Sequence, residues 1–205
     1  MRLLPWAVVA ACAALIVLLA QRQRDLSRAY TELRLRTTLL HAGNVVPTFI
    51  TTTLDGHQVT IGTTKAPEGR QVLFILRTTC PFCRATLPIW ERLADSLRRV
   101  AVPPIELYAI SLDPADSTRA YAKLHRLSYP VLTFPEPKLE RLYRVGAVPQ
   151  TVVLDNTGRV LYAMTGVLDS AAVLDSVFQA ATAPHPRGPA VPLLPAAPAA
   201  RGPGD

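Results

Sequence analysis

The sequence predicts a three-layer α/β sandwich with a mixed central sheet, and three observations support this fold class. Continuous apolar runs, typical of strands buried on both faces, alternate with helical patterns along the chain. Two β-branched runs joined by an Asp-Gly pair predict a hairpin before the first of these strands. After the last apolar run, a short turn leads into another strand pattern and one more helix, which indicates antiparallel pairing beside parallel pairing.

The hairpin is predicted in PTFITTTLDGHQVTIG, residues 47–62. Its turn falls at Asp55-Gly56, because glycine tolerates the positive φ that a tight hairpin turn requires.

Three apolar runs predict the central strands, and the patterns around them predict the helices. The strand runs are QVLFILR (71–77), IELYAIS (105–111) and QTVVLD (150–155). Helices are expected over about 81–99, interrupted by Pro88, from Asp113-Pro114 to about 126, within EPKLERLYRV, and over about 169–182. YPVLTF is expected to be extended, and Asn156-Thr157-Gly158 to turn the chain into a last strand in RVLYAMTG.

The chain is expected to begin with a membrane anchor followed by a stalk. Residues 3–20 are eighteen uncharged, mostly apolar residues, about 27 Å of helix, which is just enough for a thin bilayer. We predict a transmembrane signal anchor with a basic flank over 1–24, because the signal for cleavage after this run is weak. Residues 25–43 have an amphipathic pattern, which predicts a helical stalk.

The folded domain is expected over 44–183, followed by a disordered Pro- and Ala-rich tail over 184–205 that holds seven prolines. The domain carries fourteen Lys and Arg against twelve acids, so it lacks the basic stripe that nucleic-acid binding needs. The excess positive charge lies in 1–43, with six Arg and two acids, beside the predicted lipid bilayer contact.

The orientation of the anchor is left open by the charges around it. Arg22, Arg24 and Arg28 follow the apolar run, whereas only Arg2 and the amino terminus precede it. The positive-inside rule would therefore keep the downstream domain in the cytoplasm. The chemistry described next favours a single-pass protein of the cell membrane with an extracytoplasmic domain, and the sequence does not resolve this conflict.

The motif TTCPFC is predicted to be a redox-active dithiol. Cys80 and Cys83 fall where a buried strand ends and a helix begins, and free amides at a helix N-terminus favour a thiolate. Cys80 is therefore predicted to attack a disulfide, and Cys83, in the first helical turn, to resolve the mixed disulfide. The residues expected to tune this dithiol are Pro81 at the first helical position, Phe82 and Arg84, with Arg77 adding positive potential.

Two other interpretations of the pair compete with this one. A zinc site needs four ligands, but no second CxxC follows and the four histidines are scattered, so neither a metal nor another cofactor is expected. Two inert buried cysteines are the second alternative, although such cysteines rarely occupy a strand-to-helix turn at this spacing.

From about 44 to 182 the chain resembles the membrane-anchored thioredoxin-like proteins of the TlpA/ResA type, within the redoxin superfamily. The resemblance rests on VPTFITTTLDGHQVTI, CPFCRATLP, the strand and helix at about 105–126, and LYRVGAVPQTVVLDNTGRVLY. It implies a thioredoxin-like fold with an inserted strand–helix unit. It also implies that Pro149 is cis and faces the dithiol, and that the Val148 backbone offers a pairing edge to a substrate peptide. Without the cysteine pair, Val148-Pro149 would be interpreted as an ordinary turn before a strand.

Three departures from the family pattern remove the usual side chains around the dithiol. Thr79 stands where such reductases usually have Trp, Phe74 where thioredoxin has a buried acid, and Thr86 where ResA-like members have Glu. No base is left close in sequence, so it must come from elsewhere or be water. His125 and Glu106 lie in the inserted unit, but nothing in the sequence places them at the site.

The functional prediction is a membrane-tethered thiol–disulfide oxidoreductase that acts on extracytoplasmic client proteins. Reduction is favoured over oxidation, because Phe82 cannot make the charge-assisted contact that histidine makes in an oxidising relative. The resemblance implies clients such as apocytochromes c or copper-site proteins, and electrons from a membrane thiol carrier. Two alternatives remain. A thiol peroxidase needs a proline in the loop before its cysteine, but no proline lies within the ten residues before Cys80. A copper carrier could bind Cu(I) through Cys80 and Cys83, but such carriers usually add a distal histidine, and none is found.

Overall fold

The computed structural model describes residues 15–25, 27 and 39–184. Most of the predicted anchor, most of the predicted stalk and, apart from Pro184, the predicted tail lie outside these residues. Residues 15–25 are helical (α1). Among the described residues, no helix combines the length and the apolar character needed to cross a bilayer.

The domain that follows alternates strands and helices as the sequence predicts. In chain order the elements are β1 (Phe49–Thr52), β2 (Gln58–Ile61), β3 (Arg70–Leu76), α2 (Pro81–Arg98), β4 (Ile105–Ser111), α3 (Ala115–His125), β5 (Val131–Thr133), α4 (Pro137–Leu142), β6 (Gln150–Asp155), β7 (Val160–Thr165) and α5 (Ala171–Thr182).

Five strands form one mixed sheet in the order β5-β4-β3-β6-β7. β4 runs parallel to β3 and β5 parallel to β4, whereas β6 is antiparallel to β3 and β7 antiparallel to β6. β3 is central and buried along its whole length, in agreement with its apolar run. β4 was expected to be equally buried, but Ile105, Glu106 and Tyr108 are only half-buried, because β5 pairs with it only from Ala109 to Ser111.

Each face of the sheet is covered by a different layer, so the predicted three-layer sandwich is confirmed. α2 and α5 pack on the face that carries Val72, Phe74 and Leu76. The hairpin packs on the opposite face, which carries Leu73 and Ile75. The carboxyl ends of the parallel strands, where ligands of α/β sheets usually bind, lie at the edge where α2 begins.

Pro88 does not interrupt α2, contrary to the expectation from sequence. The helix continues from Pro81 to Arg98, and Pro88 lies on its exposed side. The buried side is formed by residues three or four apart, including Cys83, Leu87 and Trp90. The proline ring therefore faces solvent, and the helix loses only the backbone hydrogen bond that proline cannot donate.

The predicted hairpin is confirmed as a separate two-stranded sheet in which Phe49 pairs with Ile61. Gly62, just after β2, has a φ of +90°, and a Cβ added there would lie 2.8 Å from the Pro47 carbonyl oxygen. Its N–H donates to Gln71 Oε1 of β3 at 2.8 Å. The absence of a side chain at Gly62 thus lets the hairpin lie close to the central sheet.

Candidate active site

Cys80 and Cys83 lie where β3 leads into α2, as the sequence predicts. Cys80 is the N-cap residue of α2, with extended backbone angles of φ −82° and ψ 117°, and Pro81 opens the helix. The Cys83 N–H donates to Cys80 Sγ at 3.4 Å. Both side chains are free thiols. A first-turn amide of the helix, which has no acceptor within the helix, therefore faces the Cys80 sulfur.

The two thiols differ sharply in burial. Cys80 is half-buried, whereas Cys83 is 0% exposed. Burial raises the pKa of Cys83 to about 12, opposed by a hydrogen bond from the Arg77 backbone and reinforced by Cys80 and by the charge of Asp113. Cys83 is thus a protonated thiol at neutral pH. A client protein can reach Cys80, while Cys83 is reached through Cys80.

The Val148–Pro149 segment lies against the dithiol, although it is far away in sequence. The Val148–Pro149 peptide bond is cis, as the family resemblance implies. Cys80 Sγ lies 3.8 Å from the Val148 carbonyl oxygen, close enough for the thiol to donate to it. Val148 is half-buried and Pro149 buried at the start of β6. The role of Val148 as a pairing edge for a substrate peptide stays a prediction. A second cis bond, Val102–Pro103, was not predicted.

The residues predicted to tune the dithiol are on the surface around Cys80. Pro81, Phe82 and Arg84 are exposed, and Phe82 presents 63% of its surface to solvent. Phe82 therefore gives this surface an apolar contact. Its carbonyl oxygen accepts from the Thr86 hydroxyl at 2.9 Å, inside α2.

The positions that hold acids in related proteins are filled here by side chains that cannot act as bases. Phe74 is fully buried and stacks on Trp90 at a centroid distance of 4.9 Å. Thr86 is buried, and its hydroxyl donates to the backbone.

The two titratable residues of the inserted unit lie elsewhere. Glu106 accepts from Gln71 Nε2 at 2.8 Å, and both residues lie near the starts of their strands, whereas the dithiol lies past the strand ends. His125 packs on the ring of Tyr121 at 4.4 Å.

Asp113 is a site residue that the sequence reasoning missed. It follows β4, and its carboxylate accepts from the Thr78 N–H at 2.5 Å and from the Thr78 hydroxyl at 2.7 Å. The β4 strand ends beside the end of β3, where Leu76 pairs with Ser111. Parallel strands that are neighbours in a sheet bring their following loops together, so this pairing could have identified Asp113.

Arg77, which was expected to add positive potential at the dithiol, forms ion pairs with two acids. Arg77 Nη1 lies 3.3 Å from Asp113 Oδ1, and Arg77 Nη2 lies 3.8 Å from Glu140 Oε1. The positive charge of the Arg77 guanidinium, on the loop between β3 and α2, is therefore paired with the negative charges of two carboxylates.

The fold agrees with what comparison with known proteins finds. The model of the AhpC/TSA family matches residues 42–163, which is more than half of the chain. The thiol-disulfide oxidoreductase ResA of Geobacillus kaustophilus (strain HTA426) is 26% identical over 141 residues, which are 68% of this chain and 78% of that protein. The methylamine utilization protein MauD of Methylophilus methylotrophus is 26% identical over 137 residues, 67% of this chain and 61% of that protein.

Among solved structures, StoA from Bacillus subtilis superposes with a TM-score of 0.54 at 17% identity, covering 64% of this chain and 97% of StoA. This similarity shows a shared thioredoxin-like fold. The relatives confirm the predicted resemblance to ResA-type proteins and the predicted enzyme class, thiol–disulfide oxidoreductase. With the family match over residues 42–163, the chain belongs to the AhpC/TSA family.

Proposed function

We propose that this protein exchanges disulfides with client proteins through Cys80 and Cys83. The observation that carries the proposal is the asymmetry of the pair: a half-buried Cys80 at the helix N-cap, and a fully buried Cys83 whose N–H points at the Cys80 sulfur. Thiol–disulfide oxidoreductases act on clients that bear thiols or disulfides, and one accessible thiol is what such an exchange needs.

The chemistry proceeds through a mixed disulfide. The Cys80 thiolate attacks one sulfur of the client disulfide, and the other client sulfur leaves as a thiolate. Cys83 then loses its proton and attacks Cys80 Sγ, which forms the Cys80–Cys83 disulfide and releases the second client thiol. The exposed Phe82 and the Val148 backbone lie beside Cys80 and would contact the client chain.

We expect the protein to work as a reductase. The side chains between the cysteines, those of Pro81 and Phe82, carry no donor that would stabilise the Cys80 thiolate by a charge-assisted hydrogen bond. A dithiol whose reduced form is strongly stabilised is an oxidant, as in DsbA, so the absence of such a contact favours a reducing potential.

The proposed location is the outer side of the cell membrane, with residues 3–20 as the anchor. An anchor raises the concentration of the domain near membrane-bound partners, such as apocytochromes c and a membrane thiol carrier. Fusing alkaline phosphatase, which is active only outside the cytoplasm, after the last residue of the full chain tests the orientation. An inactive phosphatase, together with fluorescence from a fusion of the same chain to a protein that is fluorescent only in the cytoplasm, would place the domain in the cytoplasm.

The reduction potential of the dithiol tests the proposed direction. The full chain carrying Cys12→Ala is equilibrated with glutathione or dithiothreitol buffers, and the variant that also carries Cys83→Ala is the control without a couple. A potential at or below about −250 mV supports a reductase, whereas a value near −120 mV makes the protein an oxidant. If no reversible disulfide forms, exchange through this pair is excluded. Peroxide consumption and Cu(I) titration of the same reduced protein then test the peroxidase and the copper carrier.

A further inference from the structure

The buried thiol needs a proton acceptor that the family pattern does not supply here. Cys83 must lose its proton before it can attack the mixed disulfide, because the thiolate is the nucleophile. The positions of the usual acids hold Phe74 and Thr86, and neither side chain can accept a proton. The acceptor therefore has to come from another element of the fold.

Asp113 is held against the loop that leads into the dithiol. Its carboxylate accepts from the Thr78 N–H and hydroxyl at 2.5 and 2.7 Å and pairs with Arg77 at 3.3 Å. Thr78 is only two residues before Cys80. A carboxylate has about four acceptor positions, so these three contacts leave one free. The Asp113 side chain is 14% exposed, so it lies at the boundary between the core and solvent.

The groups around Cys83 leave Asp113 as the acceptor. Within residues 39–184, the titratable side chains that interact with the Cys83 thiol are Cys80 on α2, Asp113 after β4 and Tyr121 on α3. Burial raises the pKa of Tyr121, and its buried hydroxyl has no hydrogen-bond partner in the described part of the chain, so it stays a neutral phenol. Cys80 is itself bonded to the client at this stage. The Arg77 backbone donates a hydrogen bond to the Cys83 thiol, and the next residue, Thr78, donates its N–H to the Asp113 carboxylate, so neighbouring residues of one loop contact the thiol and the carboxylate. The charge of Asp113 also raises the pKa of Cys83.

We propose that Asp113 accepts the Cys83 proton, directly or through one water, when Cys83 attacks the mixed disulfide. The inference rests on the roles proposed above for Cys80 and Cys83. The thiol proton passes to the carboxylate, the new thiolate forms a bond to Cys80 Sγ, and the bond between Cys80 and the client breaks. The client sulfur leaves with the electron pair of that bond and takes a proton back from Asp113 or from solvent. Cys80 and Cys83 are thereby oxidised and the client is reduced.

A reaction with dithiobis(nitrobenzoate) separates the two steps in one trace. Attack by Cys80 releases one coloured thiolate, and attack by Cys83 on the resulting mixed disulfide releases a second. The full chain carries Cys12→Ala in every variant, so that no third thiol reacts. We expect Asp113→Asn to leave the first phase within about threefold of the parent and to slow the second by about 100-fold at neutral pH, in the range of general base catalysis. Asp113→Glu is expected to restore part of the rate.

Thr78→Val separates proton transfer from loop geometry. This variant loses the hydroxyl contact with Asp113 but keeps the carboxylate, and its second phase is expected to stay near that of the parent. In the parent protein, the second phase should slow in deuterated water while the first does not, a readout that needs no variant to fold. An unchanged or faster second phase in Asp113→Asn, an equal loss in Thr78→Val, or no isotope effect on the second phase would each overturn the inference. If the parent shows no second phase, the roles of the two cysteines fail and this inference with them.

Discussion

The reduced protein is expected to lose stability in alkaline solution because Cys83 is buried as a neutral thiol. The pKa of Cys83 is raised from 9.0 to about 12 by burial above all. A raised pKa means that the folded state holds the proton more tightly than the unfolded state. The stabilisation is therefore fully present below about pH 9 and is lost as the pH rises from there towards 12.

The size of this loss follows from the shift. Each pH unit between the unfolded and folded pKa values costs about 1.4 kcal/mol, so about 2 kcal/mol is lost by about pH 10.5. Tyrosines act in the same direction, since burial also raises the pKa of the half-buried Tyr108 to about 12 and that of the buried Tyr143. The alkaline loss of the parent protein alone therefore does not isolate the thiol.

Comparison with the Cys83→Ala variant isolates the contribution of the Cys83 thiol to this loss of stability. Urea unfolding of the full chain is measured at about pH 8 and pH 10.5 in the presence of a reductant, with Cys12→Ala in both proteins. We expect the free energy of unfolding to fall by about 2 kcal/mol less in Cys83→Ala than in the parent, because the variant has no buried thiol to ionise. The variant is also expected to be somewhat less stable at about pH 8, because it leaves a small cavity. Equal losses in the two proteins would refute the argument from burial.

Two further changes test the surroundings of the dithiol and the attachment of the hairpin. Phe82→His should make the couple more oxidising, since a histidine beside the half-buried Cys80 would stabilise the thiolate, and equilibration with glutathione buffers measures the shift. Gly62→Ala should lower the free energy of unfolding by about 2 kcal/mol or more, because a Cβ at a φ of +90° would lie 2.8 Å from the Pro47 carbonyl oxygen, and thermal melting measures the loss.

Each of these changes has a matched control in the chain. Phe82→Leu replaces one exposed apolar side chain by another and should leave the potential near that of the parent; an equal shift in both variants would contradict the electrostatic explanation. Gly56→Ala has a similar φ of +89° but no atom within 4 Å of the added Cβ, so it carries the backbone strain without the contact. Equal losses at Gly56 and Gly62 would show that crowding against Pro47 costs nothing.

The elements that the sequence predicted well are those whose burial is determined by their own residues. β3 and β6 are buried along their whole length, so their continuous apolar runs are direct signals of central strands. β4 also has a largely apolar run, but its burial depends on how far β5 extends beside it, and β5 is only three residues long. The length over which two strands pair depends on both strands, so the residues of one strand do not predict it.

The residues of the candidate site also differ in how far their positions follow from the local sequence. The N-cap position of Cys80 and the first-turn position of Cys83 are local, and the TTCPFC spacing was enough to predict them. Val148 comes to the site from 68 residues away, and only the family resemblance identified it. Asp113 comes from 35 residues beyond Thr78, and its approach depends on the parallel pairing of β3 with β4. The sequence contained both strands but not the register that brings their ends together.

The fold places the two thiols in different environments, one at the protein surface and one in the core. Cys80 caps the helix at the protein surface, so a client chain can approach it beside the exposed Phe82. One turn later, Cys83 faces the core between α2 and the sheet, where burial keeps it protonated. A buried thiol held neutral does not compete for the client disulfide, and it becomes a nucleophile only when a group inside the fold takes its proton. In our proposal the carboxylate of Asp113, which accepts from Thr78 on the loop between β3 and the dithiol, meets that requirement from the loop after the neighbouring strand β4.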